Sequence, residues 1–165
     1  MKTVSMDGRL FARMVEGGAS RLYDRRTTVN DLNVFPIPDG DTGDNMFMTI
    51  EAGCRAAESS PEAGLGAAAK RIAGGMLMGA RGNSGVILSR IFAGISEGLE
   101  GLSAADACAF ARAMERGVSE AYRAVQAPVE GTILTVIADA VRFANSRLTE
   151  GTDFEAYFED LGEEL

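Results

Sequence analysis

Three carboxylates stand within six residues of one another in the segment Asn33-Val34-Phe35-Pro36-Ile37-Pro38-Asp39-Gly40-Asp41-Thr42-Gly43-Asp44-Asn45-Met46. Asp39, Asp41 and Asp44 at this spacing repel each other unless a cation or several donors neutralise them. The intervening glycines let the backbone close around a small centre, and Pro36 and Pro38 stiffen its entry. Oxygen donors at this density suit a hard divalent ion, Mg²⁺ or Ca²⁺. An EF-hand does not fit, because Ile50 stands where that loop requires its closing Glu. The competing reading is a plain Pro/Gly/Asp surface turn. Against it stand Val34, Phe35 and Ile37, apolar residues that favour a loop packed into the fold.

A helix is expected to begin directly after these aspartates, at Asn45, and its first amides would carry partial positive charge that suits phosphate oxygens. Gly79-Ala80-Arg81-Gly82-Asn83-Ser84-Gly85 opens another helix, where amides, Asn83, Ser84 and Arg81 could hold an anion. It lacks the Lys-Ser/Thr of a P-loop, and a Gly-rich helix junction is by itself a weak signal. Pro128-Val129-Glu130-Gly131-Thr132-Ile133 is a third Gly-bearing helix start. Asp39-Gly40-Asp41-Thr42 also mimics the Asp-x-Asp start of haloacid-dehalogenase-type phosphatases. That chemistry needs a strand of an α/β sheet before the aspartates, and Pro36 and Pro38 oppose one.

The rest of the composition narrows the chemistry. The 165 residues contain no histidine, which removes Ser-His, Cys-His and phosphohistidine mechanisms and the commonest metal ligand. Catalysis would have to run on carboxylates, hydroxyls, backbone amides or a bound metal. Sixteen basic against 24 acidic residues, a net of −8, argue against nucleic-acid binding. The charge is uneven: residues 150–165 hold seven acidic and no basic residues, which reads as a solvated last helix or frayed end. We therefore divide the chain into a helical domain over 1–149 and an acidic segment over 150–165. No run of 18 apolar residues and no charged-then-apolar leader occurs, so a cytoplasmic location without membrane insertion is expected. Cys54 and Cys108 lack zinc spacing and read as small buried residues.

The elements that must position these segments all read as helices. Leu10, Met14, Gly18 and Leu22, with Phe11 and Val15 beside them, form one apolar face from about Asp7, a plausible N-cap, to Asp24. Val29–Asp44 reads as loop. Helical spacing returns over Asn45–Ala57, after Pro61 to Leu77, from Val86 to Gly98, from Ser103 as N-cap to Val125, over Thr132–Arg147, and in a short seventh helix over Asp153–Leu161. No strand alternation is visible, and the fold class is all-α. Twenty glycines are many for such a chain; those at mid-helix (Gly17, Gly18, Gly53, Gly74, Gly75, Gly94) imply close helix packing, and those at junctions imply backbone approaching a ligand.

Taken together, LNVFPIPDGDTGDNM, GARGNSGVILSRIFAGI and PVEGTILTV resemble, in order and spacing, the nucleotide-binding (DhaL-type) domain of the dihydroxyacetone-kinase superfamily. The likeness is strongest to the N-terminal domain of bacterial fatty acid kinase, and it covers about residues 6–147. It implies an antiparallel barrel of about seven to eight helices, ATP or ADP with a pair of Mg²⁺ ions at one end, and a possible homodimer. It implies metal ligation by Asp39 and Asp41, with Asn33 near a third ligand position, and nucleotide contacts from Thr42, Gly43, Asn45, Met46, Asn83, Ser84, Thr132 and Ile133. Asp44 falls where the family carries a small or hydroxyl residue and is left out of the metal set. The chain stops at Leu165 without the family's further helix and DAGG-like segment, which implies a fragment or a short relative lacking its last helix. By resemblance the reaction is phosphoryl transfer from ATP to a fatty-acid carboxylate presented by a lipid-binding partner protein. The alternatives are a Mg²⁺-nucleotide-binding module without turnover of its own, and the nucleotide subunit of a dihydroxyacetone-type kinase.

Overall fold

The computed structural model describes residues 2–34, 37–58 and 64–163, and among these seven α-helices follow one another with only one short ladder between them. After the strand β1 (Met6–Asp7) come α1 (Gly8–Asp31), α2 (Thr42–Glu58), α3 (Leu65–Gly79) and α4 (Gly82–Gly98). Strand β2 (Ala104–Ala105) then precedes α5 (Ala107–Arg123), α6 (Ile133–Ser146) and α7 (Phe154–Glu163). The all-α expectation holds. The two-residue strands pair antiparallel, Met6 with Ala105 and Asp7 with Ala104, too short to show as alternation in the sequence. They also leave no sheet on which the phosphatase reading could be built.

Helix α2 packs antiparallel on α1 and α3, and α4 on α5, and glycine lets several of them approach closely. A Cβ at Gly53 would overlap the Met76 side chain, and one at Gly75 would meet Ala52 and Ala56, so α2 and α3 touch along small residues. Gly94 and Gly98 of α4 lie against Arg116, Gly117 and Ala113 of α5 in the same way. The mid-helix glycines thus divide: Gly53, Gly75 and Gly94 serve packing as expected, whereas Gly17, Gly18 and Gly74 face open space.

The core runs along these contacts. Leu65, Ile72 and Met76 of α3, Leu99, and Leu134 of α6 are buried with Phe11 and Phe110. Phe110 sits among Phe11, Phe154, Tyr157 and Phe158, with ring centroids 5.8–6.3 Å away. The acidic segment therefore carries a helix whose Phe154 and Tyr157 are buried in that same core. Arg147 binds Asp160 across the α6–α7 turn at 2.8 Å, and Thr3 binds Glu155 through both its amide (2.9 Å) and its hydroxyl (2.7 Å).

Several boundaries differ from the sequence reading. Helix α1 continues to Asp31, seven residues beyond Asp24, because Arg26 stacks over Tyr23 at 4.2 Å and the last turn is bonded to α2. Its buried face is Gly8, Phe11, Val15 and Ala19; Leu10, Met14 and Leu22 flank it and Gly18 is exposed. The cap of α5 is Asp106, which accepts from the Ala109 amide at 2.7 Å, rather than Ser103, which precedes β2. The expectation that Val34, Phe35 and Ile37 pack into the fold fails where it can be read: Val34 is 77% and Ile37 65% exposed. Phe35, like Pro36 and Pro61, lies outside the described residues. No described helix is long and apolar enough to cross a membrane.

Candidate functional site

Alternation of direction decides where the first two glycine-bearing motifs meet. Because α1 to α4 run up and down, α2 and α4 both begin at the end of the molecule where α1 and α3 finish. The first two motifs touch there. Asn45 of α2 lies against Gly82, and Thr49, one turn on, lies against Gly85. The Thr49 hydroxyl, with no exposed surface, donates to the Asn45 carbonyl (2.7 Å) and accepts from the Arg81 amide (3.1 Å). Thr49 was not among the sequence candidates; its only signal is a polar residue on an apolar helix face.

Gly82 makes this junction possible. Its φ of 59° is left-handed, and a Cβ there would collide with the Asn45 side chain. Arg81 before it is extended, so the chain reverses sharply and α4 starts at Gly82, placing Asn83 and Ser84 in the first turn. Helix α2 likewise starts at Thr42 rather than Asn45, so Thr42, Gly43, Asn45 and Met46 all lie in its first two turns and Asp41 directly precedes it.

The third motif lies at the start of α6, a helix that Asn145 Nδ2 ties to Glu115 Oε1 of α5 (2.8 Å). Thr132 is the residue before α6 and Ile133 its first; both are partly buried. The Thr132 hydroxyl donates to the Val129 carbonyl at 2.8 Å and does not cap the helix.

The two ends of the molecule treat their helix starts differently. At the far end α1 and α5 are capped by Asp7 and Asp106. The first amides of α3 donate to Ser103 O (3.0 Å) and Leu102 O (2.8 Å), and α7 begins on Thr3 O and Asp153. By contrast α4, at the motif end, and α6 start with no side-chain cap. Uncapped first-turn amides with the helix dipole behind them attract anions.

Helix α2 is the exception at that end. Asn30, near the end of α1, accepts the amides of Gly43 (2.7 Å) and Asp44 (3.2 Å) through Oδ1 and donates from Nδ2 to Asp44 Oδ2 (2.9 Å). Asp44 also lies 3.8 Å from Arg26 Nε. Asp44 is thus occupied within the fold, in keeping with its exclusion from the metal set, and α2 has already spent two of its first amides on Asn30.

The metal candidates are left open by the same network. Asn33 Nδ2 donates to Asp39 Oδ1 at 2.7 Å, which brings two of the three together. Asp39 and Asp41 are exposed, with no Lys or Arg paired to them among the described residues. Among those residues no three His, Cys, Asp or Glu side chains converge as a metal cage. Two carboxylates and an amide oxygen fit Mg²⁺ nonetheless, since that ion usually takes one or two carboxylates and completes its shell with phosphate oxygens and water.

The sequence profile of the DAK2 domain matches residues 36–165, a span that takes in the second and third motifs and the first from Pro36 onward, so that Asn33 lies outside it. The chain belongs to the DAK2 domain family. It is 44% identical over 164 residues to protein YloV of Bacillus subtilis, covering 99% of this chain and 30% of YloV. It is 47% identical over 148 residues to an uncharacterized protein of Staphylococcus saprophyticus, and 43% identical over 148 residues to one of Staphylococcus aureus. Each of those alignments covers 90% of this chain and 27% of the relative. This DAK2 domain therefore spans less than a third of the length of the relatives it matches.

Proposed function

We propose that this DAK2 domain binds a Mg²⁺-nucleotide at the end where α2 and α4 begin, and supplies it for phosphoryl transfer. The observation that carries the reading is the pairing of the uncapped start of α4 with the cation-free Asp39 and Asp41 at the same end. One feature seeks anionic oxygen and the other seeks a cation, and a metal-bound polyphosphate answers both. Membership of a kinase-superfamily domain family supports the same conclusion.

In this scheme Asp39 and Asp41, with Asn33 behind Asp39, hold the metal. Bound there, Mg²⁺ would offset charge on the β- and γ-phosphates during transfer. The first amides of α4, with Asn83 and Ser84, receive phosphate oxygens; Thr42 offers a hydroxyl beside Asp41. Gly43 serves the site by letting the start of α2 pack against Arg26 of α1 rather than through its amide, which Asn30 already holds. Asn45 and Met46 wall the first motif, and Thr132 and Ile133 face the nucleotide from α6. For the acceptor we propose a fatty-acid carboxylate carried by a separate lipid-binding partner, acting with the longer protein in the cytoplasm. A carboxylate is already ionised at neutral pH and needs no general base, consistent with a chain free of histidine.

Calorimetric titration with ATP, with and without Mg²⁺, tests the site. Binding should depend on Mg²⁺, and Asp41→Ala should abolish that dependence; unchanged affinity in the variant would sink the assignment. A module that binds but does not turn over remains the second reading, favoured by the fraction of its relatives that this chain covers. Acyl-phosphate formation by this chain alone, given a lipid-loaded partner, would decide against it.

A further inference from the structure

Asn30 holds both ends of the aspartate-bearing loop. On the entry side its carbonyl accepts the Asn33 amide at 3.1 Å, and the Asn33 side chain in turn holds Asp39 at 2.7 Å. On the exit side its carboxamide takes the Gly43 and Asp44 amides and donates to the Asp44 carboxylate, at 2.7, 3.2 and 2.9 Å. Asp41 lies between these anchors, its carbonyl fixed in the first turn of α2 by the Asn45 amide at 2.9 Å. Gly40 passes over the same Asn30 carbonyl in a left-handed conformation, φ 66°. The first turn of α2 presses on α1 so closely that a Cβ at Gly43 would overlap the Arg26 carbonyl.

We propose that Asn30 is a positioning residue: its side chain staples the start of α2 to the end of α1 and so sets the separation and direction of Asp39 and Asp41. The inference rests on the Mg²⁺-nucleotide reading above and adds to it a residue outside the three motifs. The role demands an acceptor and a donor on one short side chain. Oδ1 must face two N–H groups while Nδ2 faces a carboxylate, and aspartate at position 30 would set two negative charges against each other. Exchanging the two groups, aspartate at 30 with asparagine at 44, restores every hydrogen bond and conserves the charge.

Two measurements on the full chain decide the matter, at a temperature where circular dichroism shows each variant folded. Amide hydrogen exchange at Gly43 and Asp44 is read without nucleotide, and calorimetry with ATP is read with and without Mg²⁺. Asn30→Ala should speed exchange at both amides about tenfold, as loss of a net hydrogen bond implies. It should weaken ATP binding about tenfold when Mg²⁺ is present and leave Mg²⁺-free binding unchanged. The double variant Asn30→Asp/Asp44→Asn should return both to within about threefold of the parent. A purely structural asparagine would lower the melting temperature and leave the Mg²⁺-dependent affinity of the folded variant intact, which overturns the proposal. Unchanged exchange at Gly43 and Asp44 overturns it too. If Asn30→Ala does not fold, the exchanged pair decides alone: parental Mg²⁺-ATP affinity supports the staple, and its loss refutes it. Should the unaltered chain bind no Mg²⁺-ATP, the nucleotide reading falls, while the exchange measurement still shows whether Asn30 staples this loop.

Discussion

At the scale of single residues, Gly82 joins the first two motifs by a backbone angle. Gly82→Ala meets two penalties, a left-handed φ of 59° and a collision with Asn45. The first costs about 1–2 kcal/mol, and the second pushes Asn45 out of the junction. Gly131 shares the left-handed φ, 77°, but has open space around it. Gly131→Ala should therefore lose only about 1 kcal/mol in urea denaturation, whereas Gly82→Ala should lose more and also weaken Mg²⁺-ATP binding. Equal losses for the two would show that the contact with Asn45 is immaterial. Cys54 offers a second residue-scale expectation. Burial, and then the charge of Glu16, push its thiol from 9.0 to about 11. At pH 8 its thiolate fraction is thus about a hundredfold below that of the unfolded chain. Iodoacetamide labelling of the native protein, read on the Cys54 peptide, should be slow at pH 8 and rise only as pH nears 11. The raised value also means that this group's stabilisation is whole below pH 9 and is lost as pH climbs toward 11.

At the scale of elements, the glycine pattern shows what sequence could and could not convey. Apolar spacing marked all seven helices, because a helix face must be buried whatever it packs on. The same spacing misjudged which glycines matter, since Gly74 and Gly75 are neighbours in α3 and only one faces α2. It also ended α1 too soon: Arg25–Asp31 is polar, and the turns persist through contacts with α2 that lie more than ten residues away in the chain. Asn30 escaped notice for that reason, being a helix-capping residue type whose helix starts at Thr42. These distinctions are measurable. Gly117 packs on the Ile91 carbonyl and the Ile95 side chain. Gly117→Ala should cost about 1–3 kcal/mol through overpacking between α4 and α5. Gly74→Ala, in open space on an exposed helix face, should stabilise by up to about 1 kcal/mol from helix propensity alone. Chemical denaturation of the pair checks both signs, and a destabilised Gly74→Ala would mean that α3 presses its outer face on something.

At the scale of the whole molecule, convergence of the first two motifs follows from the up-and-down run of α1 to α4, which sequence implies only once the helix count is right. The acidic C-terminal stretch was visible as a charge imbalance and a short helix but not as part of the core, because its partners lie at Arg147, at Phe110 and at the N-terminus. Glu155 ties the first residues to α7, and the amide and hydroxyl of Thr3 hold its carboxyl below the ordinary carboxylate range. A depressed value means that the folded chain binds a proton here less readily than the unfolded one. The stabilisation is therefore present above the ordinary carboxylate pKa and is lost as pH falls through the lower, folded value. Because Phe154, beside Glu155, packs on Phe110, release of this tie should loosen the closure of the N-terminal segment over α7 before the core gives way. Carboxylate chemical shifts followed from pH 6 downward should show Glu155 titrating below the ordinary carboxylate range, with exchange of the Thr3 amide rising in step. In Thr3→Val, which removes the hydroxyl but keeps the amide, the Glu155 midpoint should move partway back toward the ordinary value. A midpoint indifferent to that substitution would place the cause elsewhere than in Thr3.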